Sequence, residues 1–221
     1  YGRPGADLLQ IGITGTSGKT TTAYPGAPQG PPAGPPARPP GLPPPEPPPA
    51  CDDRTMTGTP SRHPAAALRT ERLELRPVRS ADLPAVTRLW TDPEVRRHLG
   101  GPVIASVVRI RQRRIVGAPG FHAVVRAEDR AVLGLVTVEP AGHGGETEVS
   151  YQFLPEHWGS GYAREAVAAA VARALETVPS VVAVTQEANA RSRRLLEAVG
   201  LEHAESFEEW GARQVLYRRR A

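Results

Sequence analysis

The apolar and polar positions of this chain change rhythm near residue 66, and the regular patterns lie after that point. Glu71-Arg72-Leu73-Glu74-Leu75-Arg76 alternates polar and apolar, the period of a half-buried strand. Ser80 stands where a helix cap is expected, and Leu83, Val86, Leu89 and Trp90 then share one face of a helix running to Thr91. Pro93 to His98 reads as a helical turn and Ile104–Val116 as an Arg-studded helix. Phe121–Arg126 and Val132–Val138 read as strands joined by a tight Glu128-Asp129 turn. A further strand is expected at Glu146–Phe153, with Val149, Tyr151 and Phe153 on one face and Glu148, Ser150 and Gln152 on the other. Ala163–Leu175 has helical apolar spacing, and Val181–Thr185 reads as a buried strand. Asn189–Val199 reads as a helix capped by Asn189 and ended by Gly200. Strands at about 201–207 and 213–219 complete the order β-α-α-β-β-β-α-β-α-β-β, a mixed α/β domain.

Before residue 66 the pattern differs. Fourteen of the chain's 25 prolines fall between Pro25 and Pro49, which excludes helix or sheet interior there and favours extended polyproline II. Residues 50–64 are loop-like. The organisation expected is a fragment at 1–24, a disordered Pro-rich linker at 25–65 and one domain at 66–221. The only methionine is Met56, and residues 56–221 hold the whole α/β pattern, so the leader is expected to be dispensable.

Of 221 residues, 27 are basic and 23 acidic; Lys19 is the single lysine, so the basic residues are almost all Arg. A net charge of +4 favours small anionic ligands mildly and gives no footprint for nucleic acid. One cysteine, Cys51, excludes an internal disulfide and a thiolate metal cluster, and the histidines have no ligand spacing, so no metal is expected. No apolar run approaches the ~18 residues of a membrane span and no signal peptide is visible, so the expected compartment is the cytoplasm, with no membrane partner.

The chemistry centres on Trp158-Gly159-Ser160-Gly161-Tyr162-Ala163, between a strand and a long helix. Small residues let the backbone turn tightly, so successive N–H groups converge with the helix N-terminus on a site suited to pyrophosphate. A plain glycine turn would carry the same residues. The dinucleotide fingerprint does not fit: its third glycine and its acidic residue are missing.

In its context the turn carries a resemblance. The segment 148–166 resembles the acyl-CoA-binding motif of the Gcn5-related N-acetyltransferase superfamily, whose turn reads Gln/Arg-x-x-Gly-x-Gly/Ala. Trp158 holds the first position, Gly161 the fourth and Ala163 the sixth, a form similar to the ribosomal-protein (Rim-type) branch. Residues 70–78 with 90–95 resemble that branch's opening, and Asn189–Leu201 its Asn-x-x-Ser helix, so the resemblance covers about residues 66–221. It implies a single acyl-CoA N-acyltransferase domain with a mixed, mostly antiparallel, splayed sheet flanked by helices. The activity implied is acetyl transfer from acetyl-CoA, as co-substrate, to a small-molecule amine or a protein N-terminus by direct attack, in a monomer or homodimer.

By the same resemblance, backbone amides around Tyr151, Phe153 and Leu154 meet the pantetheine arm and polarise the thioester, and those from Gly159 through Ser160, Gly161, Tyr162 and Ala163 hold the pyrophosphate. Asn189 matches the residue that hydrogen-bonds pantetheine, and its N-cap role is compatible with that. Ser192 matches the group that assists the leaving thiolate; relatives that use a tyrosine place it where Leu196 stands here. Glu148 occupies the strand position of a general base, with Glu208 and Glu209 as runners-up.

A second stretch, Ile11 to Thr21, resembles the ATP-binding loop of Mur ligases, with Lys19 at the phosphate and Thr20 at magnesium. Pro25-Gly26 stops the following helix after one turn and no nucleotide domain follows, so it reads as a remnant. Two alternatives stay open beside acetyl transfer: an ATP-dependent ligase fragment, and an acyl-CoA-binding module without turnover.

Overall fold

Leucines at 73 and 75 set the first buried edge of the sheet. A computed structural model describes residues 67–221; the sequence expectations for 1–24 and 25–65, including Lys19 and Met56, lie outside the described residues. The strands are Leu68–Arg69 (β1), Leu73–Pro77 (β2), Phe121–Arg126 (β3), Val132–Glu139 (β4), Thr147–Phe153 (β5), Ser180–Gln186 (β6), Glu202–Glu209 (β7) and Ala212–Arg220 (β8). The helices are Leu83–Thr91 (α1), Pro93–Arg96 (α2), Ala105–Ile115 (α3), Tyr162–Leu175 (α4) and Ala190–Ala198 (α5). One sheet runs β1-β2-β3-β4-β5-β6-β8-β7, antiparallel at every junction except β5–β6.

Period-2 alternation divides the strand side chains between two layers. On one face, Leu73, Leu75, Val124, Val136, Val149, Phe153, Val181, Ala183 and Val215 pack against Ala166, Val167, Ala170 and Val171 of α4 and Leu196 and Val199 of α5. On the other, Ala123, Val125, Leu135 and Leu154 pack against Val86, Leu89 and Trp90 of α1 and Val108 and Ile115 of α3. A small cluster of Val182, Val184 and Leu216, with Phe207 against it, lies further along that second face.

Capping chemistry explains the short elements. Asp92 accepts from the N–H groups of Glu94 and Val95 and so starts α2, with Pro93 in the first turn where its missing N–H is harmless. At the start of α1 the closing group is the Asp82 carboxylate, which accepts from Arg79 N–H, rather than the expected Ser80 hydroxyl; residues Ser80–Asp82 form a 3-10 turn ahead of the helix. Asp82 is buried and also binds Arg76 through two bonds of 2.7 and 2.8 Å, pinning α1 to β2. Two features escape sequence patterning. Strand β1 is too short to show a period, and β7 and β8 extend to a two-residue turn in which Trp210 and Gly211 both have positive φ, the geometry of a tight hairpin. No helix among the described residues is long and apolar enough to cross a membrane.

Candidate active site

The parallel pair β5–β6 holds register only at Thr147↔Val181 and Glu148↔Val182, after which the two strands diverge. Each runs several residues beyond that pair, so the sheet opens into a slot between them. Along β5 the N–H and C=O groups of alternate residues face opposite neighbours. Leu154 donates to Leu133 O at 3.0 Å, which fixes the phase: the groups of Gln152 and Leu154 face β4, and those of Tyr151 and Phe153 face the slot. Leu154, expected among the slot donors, therefore gives its amide to β4, and its side chain joins the apolar cluster that also holds Trp90.

The glycine turn follows directly. Gly159 (φ 78°) and Gly161 (φ 81°) take left-handed backbone, which any side chain would strain, and Gly161 is the N-cap of α4. The amides of Tyr162 and Ala163 thus open the helix without intrahelical partners. Gly159, Ser160 and Gly161 are exposed. Arg72 fastens the turn: it donates to Ser160 O at 3.1 Å, bonds Glu165 of α4 at 2.7 Å and covers the Tyr162 ring at 4.7 Å. Trp158 links turn to slot, since its indole N–H donates to Phe153 O at 2.8 Å while Arg191 of α5 covers its ring at 4.8 Å.

Helix α5 borders the slot from the α4 side. Asn189 caps it by accepting from Ser192 N at 3.2 Å. Ser192 Oγ lies 2.8 Å from the Tyr151 hydroxyl, whose pKa is raised by burial. That phenol was not foreseen as a polar participant, because strand periodicity assigns Tyr151 to the packed face. Leu196 is buried in the core.

Glu148 sits on the opposite face, in the last residue pair before the strands part. It is 7% exposed; Oε2 accepts from His143 N–H at 3.1 Å and Oε1 is buried without a partner. Burial above all, with the nearby charges of Glu139 and Glu209, pushes its pKa up to about 7. Gly142 makes the room: a Cβ there would stand 2.4 Å from Glu148 Cβ and 2.9 Å from Oε2. Glu148, Ser150 and Gln152 of β5, with Thr137 of β4, form a buried polar strip between the apolar cluster under α1 and α3 and the one around Val182 and Leu216. Of the two runners-up, Glu208 is exposed and Glu209 is half-buried and felt by Glu148.

Two arginines on this face were read from sequence only as part of a charged helix and turn. Arg96 of α2 is buried and Arg111 of α3 partly so, both without an acidic partner. Arg111 lies between Val108 and Ile115 on helical spacing, the buried side of α3, and an arginine there was the available signal.

The family profile described as the GNAT acetyltransferase domain matches residues 72–202, more than half of the chain. The chain belongs to the GNAT acetyltransferase family. Solved structures agree in fold. A GNAT acetyltransferase from Bacillus anthracis aligns with TM-score 0.64 and 20% identity, covering 70% of this chain and 98% of that one. An aminoglycoside acetyltransferase solved with coenzyme A gives TM-score 0.55 and 14% identity, covering 67% and 94%. The ribosomal-protein-S5-alanine acetyltransferase from Vibrio fischeri gives 0.53 and 15%, covering 70% and 96%. Separately, a 24-residue stretch is 92% identical to the 2,6-diaminopimelate-adding UDP-N-acetylmuramoyl dipeptide ligases of Streptomyces avermitilis and Streptomyces coelicolor. That match spans 11% of this chain and 5% of those ligases. In this GNAT acetyltransferase, then, the turn at 159–163 and the Tyr151–Ser192 pair border the slot from the α4–α5 side, and the Glu148 strip lies on the other.

Proposed function

We propose that this protein transfers an acetyl group from acetyl-CoA to a primary amine by direct attack, with Glu148 as general base. The observation that carries the reading is a buried carboxylate with one unpartnered oxygen at the point where β5 and β6 part, across the sheet from the glycine turn.

The residues divide the work by face. Amides from Gly159 to Ala163 would hold the pyrophosphate, and Asn189 and the slot-facing amides of Tyr151 and Phe153 the pantetheine arm and carbonyl oxygen. Bound acetyl-CoA supplies a thioester carbonyl. The amine arrives along the polar strip as an ammonium, and Glu148 takes one of its protons. Its nitrogen then forms the C–N bond as the C–S bond breaks. Ser192, backed by Tyr151, gives a proton to the departing sulfur and takes one back from solvent, and the nitrogen sheds its second proton to solvent as the amide forms. A pKa near 7 suits Glu148 to accept a proton at neutral pH.

The test is CoA release with a panel of small amines and peptide N-termini, for wild type and Glu148→Gln. Turnover that falls ~100-fold in the variant while acetyl-CoA affinity holds supports the assignment. Acetyl-CoA binding without turnover on any amine would establish a binding module instead.

A further inference from the structure

Arg96 and Arg111 present more hydrogen-bond donors than the protein satisfies. Arg96 is 6% exposed; it donates from Nε to Gly101 O at 2.9 Å and from Nη2 to Leu99 O, and Nη1 is buried with no partner. Arg111 has both Nε and Nη1 buried and unpartnered, and its guanidinium lies 5.7 Å over the Trp90 ring, whose Nε1 is also buried and unpartnered. Neither arginine has a salt bridge to a described residue, and the charged neighbour felt by Arg96 is Arg111 itself. Burial and that repulsion push the pKa of Arg96 down to about 10, and burial lowers that of Arg111. A buried cation beside a half-buried one, with no counter-charge, is costly, and an oxyanion, which only accepts, answers both the charge and the surplus of donors.

Their position ties them to the slot. His98, two residues after Arg96, bonds Gln186 at the far end of β6 at 3.2 Å, so the segment after α2 reaches across to the diverging strand. Trp90, under Arg111, shares its apolar cluster with Leu154, the residue just after β5. That hydrogen bond and that cluster both lie on the face that carries Glu148, Ser150 and Thr137.

We propose that Arg96 and Arg111 form an oxyanion subsite, and that the amine acceptor of this enzyme carries a carboxylate or phosphate which this subsite reads while Glu148 faces the amine. The inference rests on the acetyl-transfer reading for the identity of the ligand, but the anion site is measurable without turnover.

The first measurement is thermal unfolding of the full chain in sulfate against chloride at matched ionic strength. Sulfate should raise the melting temperature of wild type by several degrees more than it raises that of Arg111→Gln, because an anion bound only by the folded state stabilises it. Arg111→Lys keeps the charge without the planar fork and should respond in between. Equal responses in all three proteins, or none in wild type, overturn the subsite. The second measurement compares acceptors that differ only in the anion: an amino acid against its carboxamide, and a phosphorylated amino alcohol against the free one. The anionic member should be favoured on the order of 10-fold in kcat/KM, mainly through KM, with the preference lost in Arg111→Gln. The pair that shows the preference identifies carboxylate or phosphate. Equal rates within both pairs refute an anionic acceptor and leave acetyl transfer standing. A sulfate response with no acetylation of any amine refutes the transfer reading, and with it the claim that the acceptor fills the subsite.

Discussion

The Tyr151 hydroxyl and Ser192 Oγ stand 2.8 Å apart, joining a strand and a helix that are 41 residues apart in sequence. If this pair delivers the proton to the leaving sulfur, its members act as a unit. Tyr151→Phe and Ser192→Ala should each lower kcat, and the double variant should be little worse than the more damaged single one. Additive losses in pre-steady-state acetyl transfer would separate the two residues.

Glu148 should set the acid limb of the rate profile. For an acceptor that stays protonated over the range, kcat/KM should climb through an inflection near pH 7 as the carboxylate ionises. Glu148→Gln should lose that inflection together with ~100-fold in kcat. The inflection persisting in the variant would move the base to Glu209 or beyond.

The same residue affects stability with a defined sign. Its folded pKa, about 7, lies above its ordinary 4.5, so ionisation opposes folding. The cost is absent below about pH 4.5, grows through the interval to 7 and is complete above it. Glu148→Gln should therefore be more stable than wild type at pH 8, by at most on the order of 3 kcal/mol, and the gain should vanish at pH 4. Urea unfolding at the two pH values tests this.

Gly161→Ala places a side chain at φ 81° in the turn that opens α4. Strain of about 1–2 kcal/mol is expected. Acetyl-CoA binding should weaken more than that strain alone accounts for, on the order of 10-fold or more by calorimetry, because the amides converge only in this conformation. An unchanged Kd would detach the turn from the pyrophosphate.

Asp82→Asn leaves Arg76 buried without its counter-charge. Loss of about 3 kcal/mol or more is expected in urea unfolding, well above a surface ion pair such as Arg88–Glu156.

The helices were legible because each faces core on one side and solvent on the other, which period 3.6 records, and the central strands because they are short apolar runs buried on both faces between turn residues. Phe121–Arg126 is found with the bounds its apolar run suggests, and Gly200 closes α5 as its type suggests. What remained hidden depends on long-range contact. Leu68–Arg69 has no period to read, and the Tyr151 hydroxyl gains its partner only when α5 docks. Arg96 and Arg111 look like solvated charges until the segment Leu99–Gly101 wraps the first and Trp90 lies under the second. Gly142 passes for a loop glycine until Glu148 is packed against it.

The placement of β8 between β6 and β7 has a kinetic consequence. Residues Val181-Val182-Ala183-Val184 pair along one edge with Leu216-Tyr217-Arg218-Arg219, over thirty residues later, while on the other edge only Val181 and Val182 are in register with β5. Until that late strand docks, β6 is a short, uncharged, β-branched segment bare along one whole edge and beyond Val182 on the other. Such a segment is the part of a refolding chain that recruits a second copy of itself. Recovery of this enzyme from denaturant should therefore fall steeply with protein concentration, governed by the race between one intramolecular pairing and many intermolecular ones.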